Sequence, residues 1–495
     1  MPIMDEPTSL DPQIADSNSE KLVAANCYEG LVRIMADGTI GKGVATDWNI
    51  SDDGLTYTFK LRNNSHWAMF SGHKAVLGEN YEDTFDITVK AEDFKFGIER
   101  TLSEQTGSAD APLFSAVKSI STPDDFTIVF NLSYADDNFL YALTNPGAMP
   151  CDEEFFNLTN GKYGLDAKYL LCNGPFHVSK WTEKTSVKLA KNNEYNGESS
   201  VSPSSVTFYI NNDDSEVADK MNSVTYDVAF LSSSQFSSIE NKKDLNSVAV
   251  QNVTYSFIFN QNDNNYRNKN MRLAFCRSCD TSSLFDSQSD ISKADGIVPP
   301  SCKIGGEDYR NGNAAELLSY DETLAKKNFN DALLELGSSS VETTILCTEQ
   351  YEPFVKQMVQ KLQKTLGVKF VSTVKVVSES DLEAAVNDGN YSVAFYPFKA
   401  KSSFAGEIIE GFDQNNIFGY ESDVLSQKIR NIKNNSGSLD GERSAVADAE
   451  NYLVSEAVIM PVFYENSYFV TSKKTSGIYF YSSADNVCFI NAKKS

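Results

Sequence analysis

Histidine is scarce in this sequence. The chain has 3 histidines, His66, His73 and His177, and they are spread over two predicted domains. Protein sites for zinc or nickel usually take several imidazole or thiolate ligands at short spacings, and the sequence has no His-Glu-x-x-His. We therefore interpret His66, beside Trp67, as a solvated or hydrogen-bonded histidine and predict no metal site.

Catalytic motifs are missing as well. There is no Gly-x-Ser-x-Gly and no glycine-rich loop of the kind that binds phosphate. The 68 acidic residues make chance pairs of carboxylates unavoidable, so an acid–base dyad cannot be argued from spacing. The sequence predicts neither an enzyme nor a cofactor.

Long apolar runs and an excess of positive charge are both absent. No run approaches the roughly 18 apolar residues that a membrane-spanning helix needs. Lys and Arg number 43, and the formal net charge is −25. Because the phosphates of nucleic acids attract clustered basic residues, this balance argues against nucleic acid as a partner. We expect an acidic, globular monomer.

The role of cysteine stays open. The 8 cysteines permit disulfides in an exported chain, but spacing alone does not give their connectivity. Cys276 and Cys279 have the spacing of a redox or metal-binding pair, yet they follow the helical pattern Met271–Phe275, and no second pair accompanies them. We interpret both as structural.

Alternating strands dominate the first part of the chain. Residues 31–34 form a short apolar segment, Asp37-Gly38 is a hairpin turn, and residues 56–62 place Tyr57, Phe59 and Leu61 on one face. Such a pattern indicates an antiparallel sheet with one buried face. At 495 residues the chain is too long for a single core and should hold two or three domains.

Helical and parallel-strand patterns follow later in the chain. Residues 91–102 predict a helix, and residues 127–132 predict a strand. Alternating strands and helices between residues 320 and 396 predict a mostly parallel sheet. One of these helices has a period of 3.6 in its predicted buried face, formed by Leu324, Ala325, Asn328, Phe329, Ala332 and Leu336.

Five ordered blocks are more specific than these patterns. They are Leu10-Asp11-Pro12, Tyr28-Glu29-Gly30-Leu31, Asp37-Gly38, Ala45–Arg62 (A-x-x-W-x-x-S-x-D-G-x-x-Y-T-F-x-L-R) and Ala91-Glu92-Asp93-Phe94. With these blocks the chain resembles the family 5 extracellular solute-binding proteins, the peptide- and nickel-binding receptors of ABC importers. Further matches, such as Cys172–Phe176 and Asn192–Tyr195, extend the resemblance over nearly the whole chain.

The resemblance implies a fold and a division into domains. The expected fold is the α/β periplasmic-binding-protein type II fold, which has two lobes, a hinge and mixed sheets, with an additional inserted α/β domain. The expected domains are lobe I (1–28, 170–260 and 470–495), the inserted domain (29–169) and lobe II (261–469).

The resemblance also implies a mechanism without a chemical step. A peptide-like solute would lie in the cleft between the lobes, be buried by closure about a hinge at Asn260, Gln261 and Tyr468, and pass to a membrane permease. Strand-like hydrogen bonds would hold the main chain of the peptide. The predicted ligand-binding residues are Asp16, Ser17, Asn18, Tyr28, Tyr396, Phe398, Lys399, Ala400 and Lys401.

One of these positions departs from the family pattern. Lys401 stands where the family has an aspartate that pairs with the ammonium of the peptide, and Pro397, which has no N–H, stands in place of a glycine. A lysine would repel the ammonium. Either another acid takes over, or the ligand is not an α-amino peptide, or the loop has another register. Lys399 and Lys401 could instead hold a carboxylate or phosphate.

Other ligands and functions remain open. The same receptor fold could bind an oligosaccharide, an anionic solute or a nickel complex, and the protein could be an enzyme on this scaffold or an adhesion or signalling protein. Family members are exported, whereas this chain begins MPIMDEPTSL without a charged and then apolar leader. We expect the leader to be absent from this chain and the protein to be a cell-surface lipoprotein or periplasmic.

Overall fold

The computed structural model describes the chain except residues 36–38, 81–83, 137, 198, 282–284, 286–289, 400–403, 414–415, 436–437 and 482. It divides into unit 1, which comprises Met1–Val250 and Ser467–Ser495, and unit 2, which comprises Gln251–Asn466. The predicted turn Asp37-Gly38 lies outside the described residues. The predicted lobes and inserted domain stay predictions.

Unit 1 contains two four-stranded sheets. One has the order Pro2–Ile3, Ser205–Ile210, Ser186–Lys191 and Phe176–Thr182, and the other has the order Ala45–Ile50, Thr56–Leu61, Thr127–Leu132 and Val117–Asp124. Shorter ladders pair Val32–Ile34 with Ile40–Lys42, Thr475–Ser476 with Lys493–Lys494, Tyr479–Tyr481 with Ser483–Cys488, and Val228–Ser232 with Ile459–Ser472. The predicted alternation is confirmed, because Tyr57, Phe59 and Leu61 are buried.

The helices of unit 1 pack on these sheets around a main apolar core, and Asp214–Asn222 and Ser233–Ser238 pack at a smaller apolar cluster. The α-helices are Asn18–Cys27, Lys74–Leu77, Ala91–Leu102, Phe139–Ala142, Glu153–Leu158, Asp214–Asn222 and Ser233–Ser238. The last segment of the chain returns to this core. The side chain of Asn26 donates to the carbonyl oxygen of Val487 at 2.8 Å and accepts from the N–H of Phe489 at 3.3 Å.

Unit 2 is organised on a mixed sheet. Its neighbouring strands are, in order, Ile459–Ser472, Leu245–Phe259, Val393–Lys399, Val341–Cys347 and Phe370–Val376, and Ile291–Lys293 pairs with Ile459–Ser472. The predicted parallel arrangement holds for Val393–Lys399, Val341–Cys347 and Phe370–Val376. Leu245–Phe259, which lies outside the range of that prediction, runs antiparallel to Val393–Lys399.

Helices cover both faces of this sheet. One face carries Lys269–Ser278, Glu322–Leu336 and Glu352–Leu366, and the other carries Ala405–Glu410, Asp423–Asn434 and Leu439–Ser455. A further helix spans Glu379–Asn387 and a short two-stranded ladder pairs Lys303–Ile304 with Glu307–Asp308. In Glu322–Leu336 the predicted face is shifted. Leu324 is 40% exposed and Leu333 is buried, so the buried face omits one predicted residue and includes one that was not predicted.

All eight cysteines lie among the described residues, and each is a free thiol. Burial raises the pKa of Cys276 to about 12 and raises that of Cys279 as well, which fits structural thiols better than reactive ones. Within the described part of the chain, no helix combines the length and apolar character that crossing a membrane requires.

Candidate functional site

Three parallel strands of unit 2 end at the same edge of the sheet. They are Val341–Cys347, Phe370–Val376 and Val393–Lys399. In open α/β sheets, ligands bind outside the carboxyl ends of such strands. We call this region the carboxyl edge and define it as Glu349–Tyr351, Val377–Glu379 and Lys399, together with Glu465 on the crossing strand.

Aromatic rings form the floor of the carboxyl edge. The aromatic platform consists of Tyr255, Tyr351, Phe395 and Phe463. The ring centroid of Tyr255 lies 4.4 Å from that of Tyr351, and the centroid of Phe395 lies 5.6 Å from that of Phe463. Tyr351 follows the first parallel strand, and the other three rings lie on one face of the sheet, where they belong to one apolar cluster. Tyr255 is half-buried and the other three rings are buried, so the platform is core packing beneath the edge.

The carboxylate of Glu465 contacts this platform through the hydroxyl of Tyr351. The hydroxyl of Tyr351 donates to its carboxylate at 2.5 Å, and the side-chain amide of Gln350 donates at 3.4 Å. Burial raises the pKa of Glu465 above its usual range, the two hydrogen bonds oppose the rise, and the charges of Glu379 and Asp290 add to it.

The second predicted ligand-binding segment has its side chains on both faces of the sheet. Lys399 is exposed at the end of its strand. Tyr396 and Phe398 lie on the face opposite Phe395, and the ring of Phe398 stacks on Phe412 at 5.7 Å. Ala400 and Lys401 lie outside the described residues. The structure therefore brings Lys399 to the carboxyl edge and packs Phe398 into the core behind it. The role of each in ligand binding stays a prediction.

The first predicted segment lies at a helix N-terminus in unit 1. Ser17 caps the helix Asn18–Cys27 and forms a capping box with Glu20. The carboxylate of Glu20 accepts hydrogen bonds from the N–H groups of Asp16 at 3.0 Å and Ser17 at 3.2 Å. It also accepts from the N–H of Thr8 at 2.7 Å. The N–H groups of Asp16 and Ser17 are thus occupied, and the exposed side chain of Asp16 is what this segment presents to solvent.

Tyr28 is buried in the core of unit 1. Its hydroxyl lies 3.3 Å from that of Tyr163, and burial raises its pKa well above the usual range. The predicted role of Tyr28 in ligand binding stays a prediction.

The block that begins at Tyr28 continues into a buried polar junction. The carboxylate of Glu29 binds the guanidinium of Arg62 and accepts from the hydroxyl of Tyr195 at 3.0 Å. The side chain of Asn173 accepts from the N–H of Glu29 at 3.0 Å and donates to its carbonyl oxygen at 2.8 Å. These four residues come from different sequence blocks, and we call them the block junction.

A second buried ion pair joins two more blocks. Arg100 donates to the carboxylate of Asp11 through both terminal nitrogens, at 3.2 and 2.6 Å, and to the side chain of Gln13 at 2.6 Å. Asp11 belongs to the Leu-Asp-Pro block and Arg100 to the helix Ala91–Leu102. The sequence blocks that carry the resemblance are thus held together by hydrogen bonds inside unit 1.

The chain passes between the units at Val250–Gln251 and Asn466–Ser467. Of the predicted hinge residues, Tyr468 directly follows the second crossing, whereas Asn260 and Gln261 lie inside unit 2, after the far end of the strand Leu245–Phe259. Asn260 donates to the carbonyl oxygens of Gly389 at 2.8 Å and Tyr391 at 2.7 Å. Gln261 follows it, with its N–H bonded to the carbonyl oxygen of Phe418 at 2.9 Å. Tyr468 stacks on Phe236 at 4.2 Å. Their hinge role stays a prediction.

The histidines are placed apart from these features. His73 is buried, and its Nε2 lies 3.1 Å from the carbonyl oxygen of Leu170. His177 stacks on Phe70 at 5.6 Å, and His66 forms a bridge with Thr88. The described ranges contain no group of three or more His, Cys, Asp or Glu side chains that could hold a metal ion.

Sequence reasoning missed Tyr255, Gln350, Tyr351 and Glu465. One signal was available, because Glu465 is an acid that directly follows the apolar run Ile459–Tyr464. A second was the position of Gln350 and Tyr351 immediately after a strand predicted to be parallel, where ligand-binding loops occur.

Comparison with known proteins places these features in a family. A model described as bacterial extracellular solute-binding proteins, family 5 Middle, matches residues 39–418. The dipeptide-binding protein DppE of Bacillus subtilis (strain 168) is 24% identical over 496 residues, which cover 96% of this chain and 88% of that protein.

Two solved structures are similar over 100% of this chain. One is the dipeptide-binding protein of Pseudoalteromonas sp. SM9913 in complex with Met-Leu, with a TM-score of 0.78, 18% identity and 99% of its chain covered. The other is Listeria monocytogenes OppA bound to peptide, with a TM-score of 0.76, 21% identity and 98% covered. The predicted α/β binding-protein fold is confirmed.

Proposed function

The chain belongs to the bacterial extracellular solute-binding proteins of family 5, and on that premise we propose that it is the receptor of an ABC importer and binds a peptide. The observation that carries the proposal is the nearly full-length similarity to the dipeptide-binding protein DppE. The two solved structures named above are of proteins with a bound dipeptide and a bound peptide.

The chemistry of the carboxyl edge supports a peptide ligand. It offers a carboxylate at Glu465, an exposed ammonium at Lys399 and the half-buried ring of Tyr255. A short peptide carries one charge of each sign at its ends and apolar groups between them. A surface with both charges and aromatic rings is complementary to such a molecule.

The proposed mechanism is binding and release without a chemical step. Closure about the chain connections near Asn260, Gln261 and Tyr468 would secure the ligand, and contact with a membrane permease would release it. We propose that the receptor acts as an exported monomer, either anchored as a cell-surface lipoprotein or free in the periplasm.

A thermal-shift screen tests this proposal. The protein is heated with defined peptides of two to eight residues, with oligosaccharides and with Ni²⁺ in separate arms. A ligand at about a hundred times its dissociation constant adds roughly 2.7 kcal/mol of stability, so we expect one or more peptides to raise the melting temperature. A shift caused by an oligosaccharide or Ni²⁺ while every peptide is inert would overturn the peptide assignment.

A further inference from the structure

We propose that three lysine pairs of unit 1 form a docking surface for an anionic lipid membrane. The pairs are Lys242-Lys243, Lys473-Lys474 and Lys493-Lys494, and we call them the lysine surface. Docking through this surface would set which face of the protein lies against the membrane, and it does not depend on the identity of the ligand.

The fold brings the three pairs together from distant parts of the chain. The N–H of Lys473 donates to the carbonyl oxygen of Asp244 at 2.9 Å, and its ammonium donates to the carbonyl oxygen of Lys243 at 2.6 Å. The strand Thr475–Ser476 pairs with Lys493–Lys494. All six lysines are exposed. Three of the four Lys-Lys pairs in the sequence thus meet in one place.

The lysine surface has the opposite charge from the chain as a whole. Acidic residues outnumber Lys and Arg by 68 to 43. Among the described residues, the acids that lie within residues 240–244, 473–476 and 493–495 or form an ion pair with them are Glu240, Asp244 and Asp227, the last at 2.9 Å from Lys494. Positive charges therefore predominate here. An anionic membrane repels most of this protein and attracts the lysine surface, so the charge distribution orients the molecule.

An apolar groove adjoins the lysine surface on the same chain segments. It has a volume of about 260 Å³, and its apolar lining is Val248, Phe469, Ile478, Tyr479 and Phe480. Val248 is 51% exposed and Tyr479 is 37% exposed. Tyrosine and aliphatic side chains are favourable in the headgroup region of a bilayer, where the ammonium groups of lysines can reach the phosphates. Cations beside exposed apolar groups are the chemistry of interfacial binding.

The type of cation favours a lipid surface over an acidic protein. Residues 240–244, 473–476 and 493–495 contain lysine and no arginine. Arginine has the planar fork that pairs with carboxylates in specific protein interfaces, whereas lysine is a hydrated point charge on a flexible stem. Such point charges suit the diffuse negative potential of many lipid headgroups.

Co-sedimentation of the full chain with vesicles tests the proposal. Vesicles of phosphatidylcholine are compared with vesicles of an equimolar mixture of phosphatidylcholine and phosphatidylglycerol. Each lysine near an anionic surface contributes about fivefold in affinity, so we expect the protein to bind the mixed vesicles at least about tenfold more tightly at low ionic strength. Added salt should remove this preference, because it screens exposed charges.

Two matched variants make the test specific. Lys474→Gln combined with Lys493→Gln removes two charges from the lysine surface and should weaken binding to the mixed vesicles by at least about tenfold. Lys326→Gln combined with Lys327→Gln is the control, because it alters the fourth Lys-Lys pair, which forms exposed helical ion pairs in unit 2. The control changes the net charge equally and should bind as the wild-type protein does.

Each outcome decides the proposal. Equal binding to both kinds of vesicle, no binding to either at low ionic strength, or equal losses in the two variants would overturn it. Binding to polyglutamate without binding to anionic vesicles would identify an acidic protein as the partner and would overturn it too. The wild-type comparison and its salt dependence need no variant, so a substitution that prevents folding does not remove the test. Peptide binding is measured separately, and its failure leaves these results unaffected.

Discussion

The guanidinium of Arg62 binds the carboxylate of Glu29, 33 residues earlier in the chain, and both side chains are almost fully withdrawn from solvent, at 12% and 4% exposure. This pair joins the end of the strand Thr56–Leu61 to the segment that follows the first helix. Tyr195 and Asn173 add further hydrogen bonds to Glu29, so the block junction is a polar network centred on a buried carboxylate.

Removing one member of the block junction should strongly destabilise unit 1. Arg62→Met leaves the carboxylate of Glu29 buried without its cation, a change that typically costs about 3–5 kcal/mol. Urea denaturation followed by far-UV circular dichroism measures the loss. Lys327→Met is the control, because Lys327 forms an exposed helical pair with Asp331, and it should leave the midpoint unchanged. Equal stability of both variants would contradict the role of the junction.

Glu20 should hold the segment Thr8–Ser17 in place. Burial alone would raise the pKa of Glu20, but hydrogen bonds from Asp16, Thr8 and Ser17 outweigh it and lower the pKa. Glu20→Gln keeps the size and replaces one acceptor oxygen by a donor, so we expect a loss of about 1–3 kcal/mol. Hydrogen exchange should become faster at the amides of Asp16 and Ser17.

The control for Glu20 is Glu153→Gln, since Glu153 is an exposed acid in the first turn of the helix Glu153–Leu158. It should change neither the stability nor the exchange at Asp16. Unaltered exchange in the Glu20→Gln variant would show that the segment is fixed by other contacts.

The stability of the protein should depend on pH through His73. Burial lowers the pKa of His73 to about 4, a carbonyl contact with Leu170 opposes this, and the charge of His177 adds to it. The unfolded chain therefore binds the proton between about pH 6.5 and 4 while the folded chain does not. The contribution of His73 is complete above about pH 6.5 and falls by up to roughly 3 kcal/mol as the pH drops to 4.

The effect is measured by comparing the denaturation midpoints of the wild-type protein and of two variants at pH 7 and near pH 4. His73→Phe preserves the aromatic contacts with Phe70 and Phe155 and should reduce the loss at low pH. His66→Asn serves as the control and should keep the wild-type slope. If both variants have the same slope, protonation of His73 is not coupled to unfolding.

Val224 occupies an unfavourable backbone conformation. It is a β-branched residue at φ 55°, a region that costs L-residues roughly 1–2 kcal/mol and that Asn tolerates better. Val224→Asn should therefore raise the melting temperature, with a gain of about 1 kcal/mol. Ser223→Asn is the matched control, because Ser223 has an ordinary φ of −82°, and it should give no gain. A lower melting temperature for Val224→Asn would mean that the packing of the valine outweighs its backbone cost.

The thiols should be inert in the folded protein. Burial raises the pKa of Cys151 to about 12 and that of Cys347 to about 11, so few thiolates exist near neutral pH. We expect a thiol reagent to react slowly with the native protein. After unfolding without reductant, the reagent should modify all 8 thiols. A lower count after unfolding would reveal disulfides.

Local structure was predictable where the pattern was strong. The helix Ala91–Leu102 and the strand Thr127–Leu132 form as the sequence predicts, because each has a regular apolar period. The orientation of Phe398 was not predictable, because the run from Val393 to Phe398 is apolar throughout and does not show which residues face which layer. Packing against Phe412 and Phe418 decides it.

The candidate site was predictable only in part. Lys399 follows from its position at the end of a buried strand. The contact between Tyr351 and Glu465 joins residues 114 apart in sequence, and the order of strands in the sheet creates it. No local sequence pattern predicts the order of the strands in the sheet, since neighbouring strands come from distant parts of the chain.

The contacts of Asn26 with Val487 and Phe489 constrain the order in which the chain can acquire its structure during synthesis. All of unit 2 leaves the ribosome before the partners of Asn26 do, so unit 2 can fold while the core of unit 1 is still incomplete.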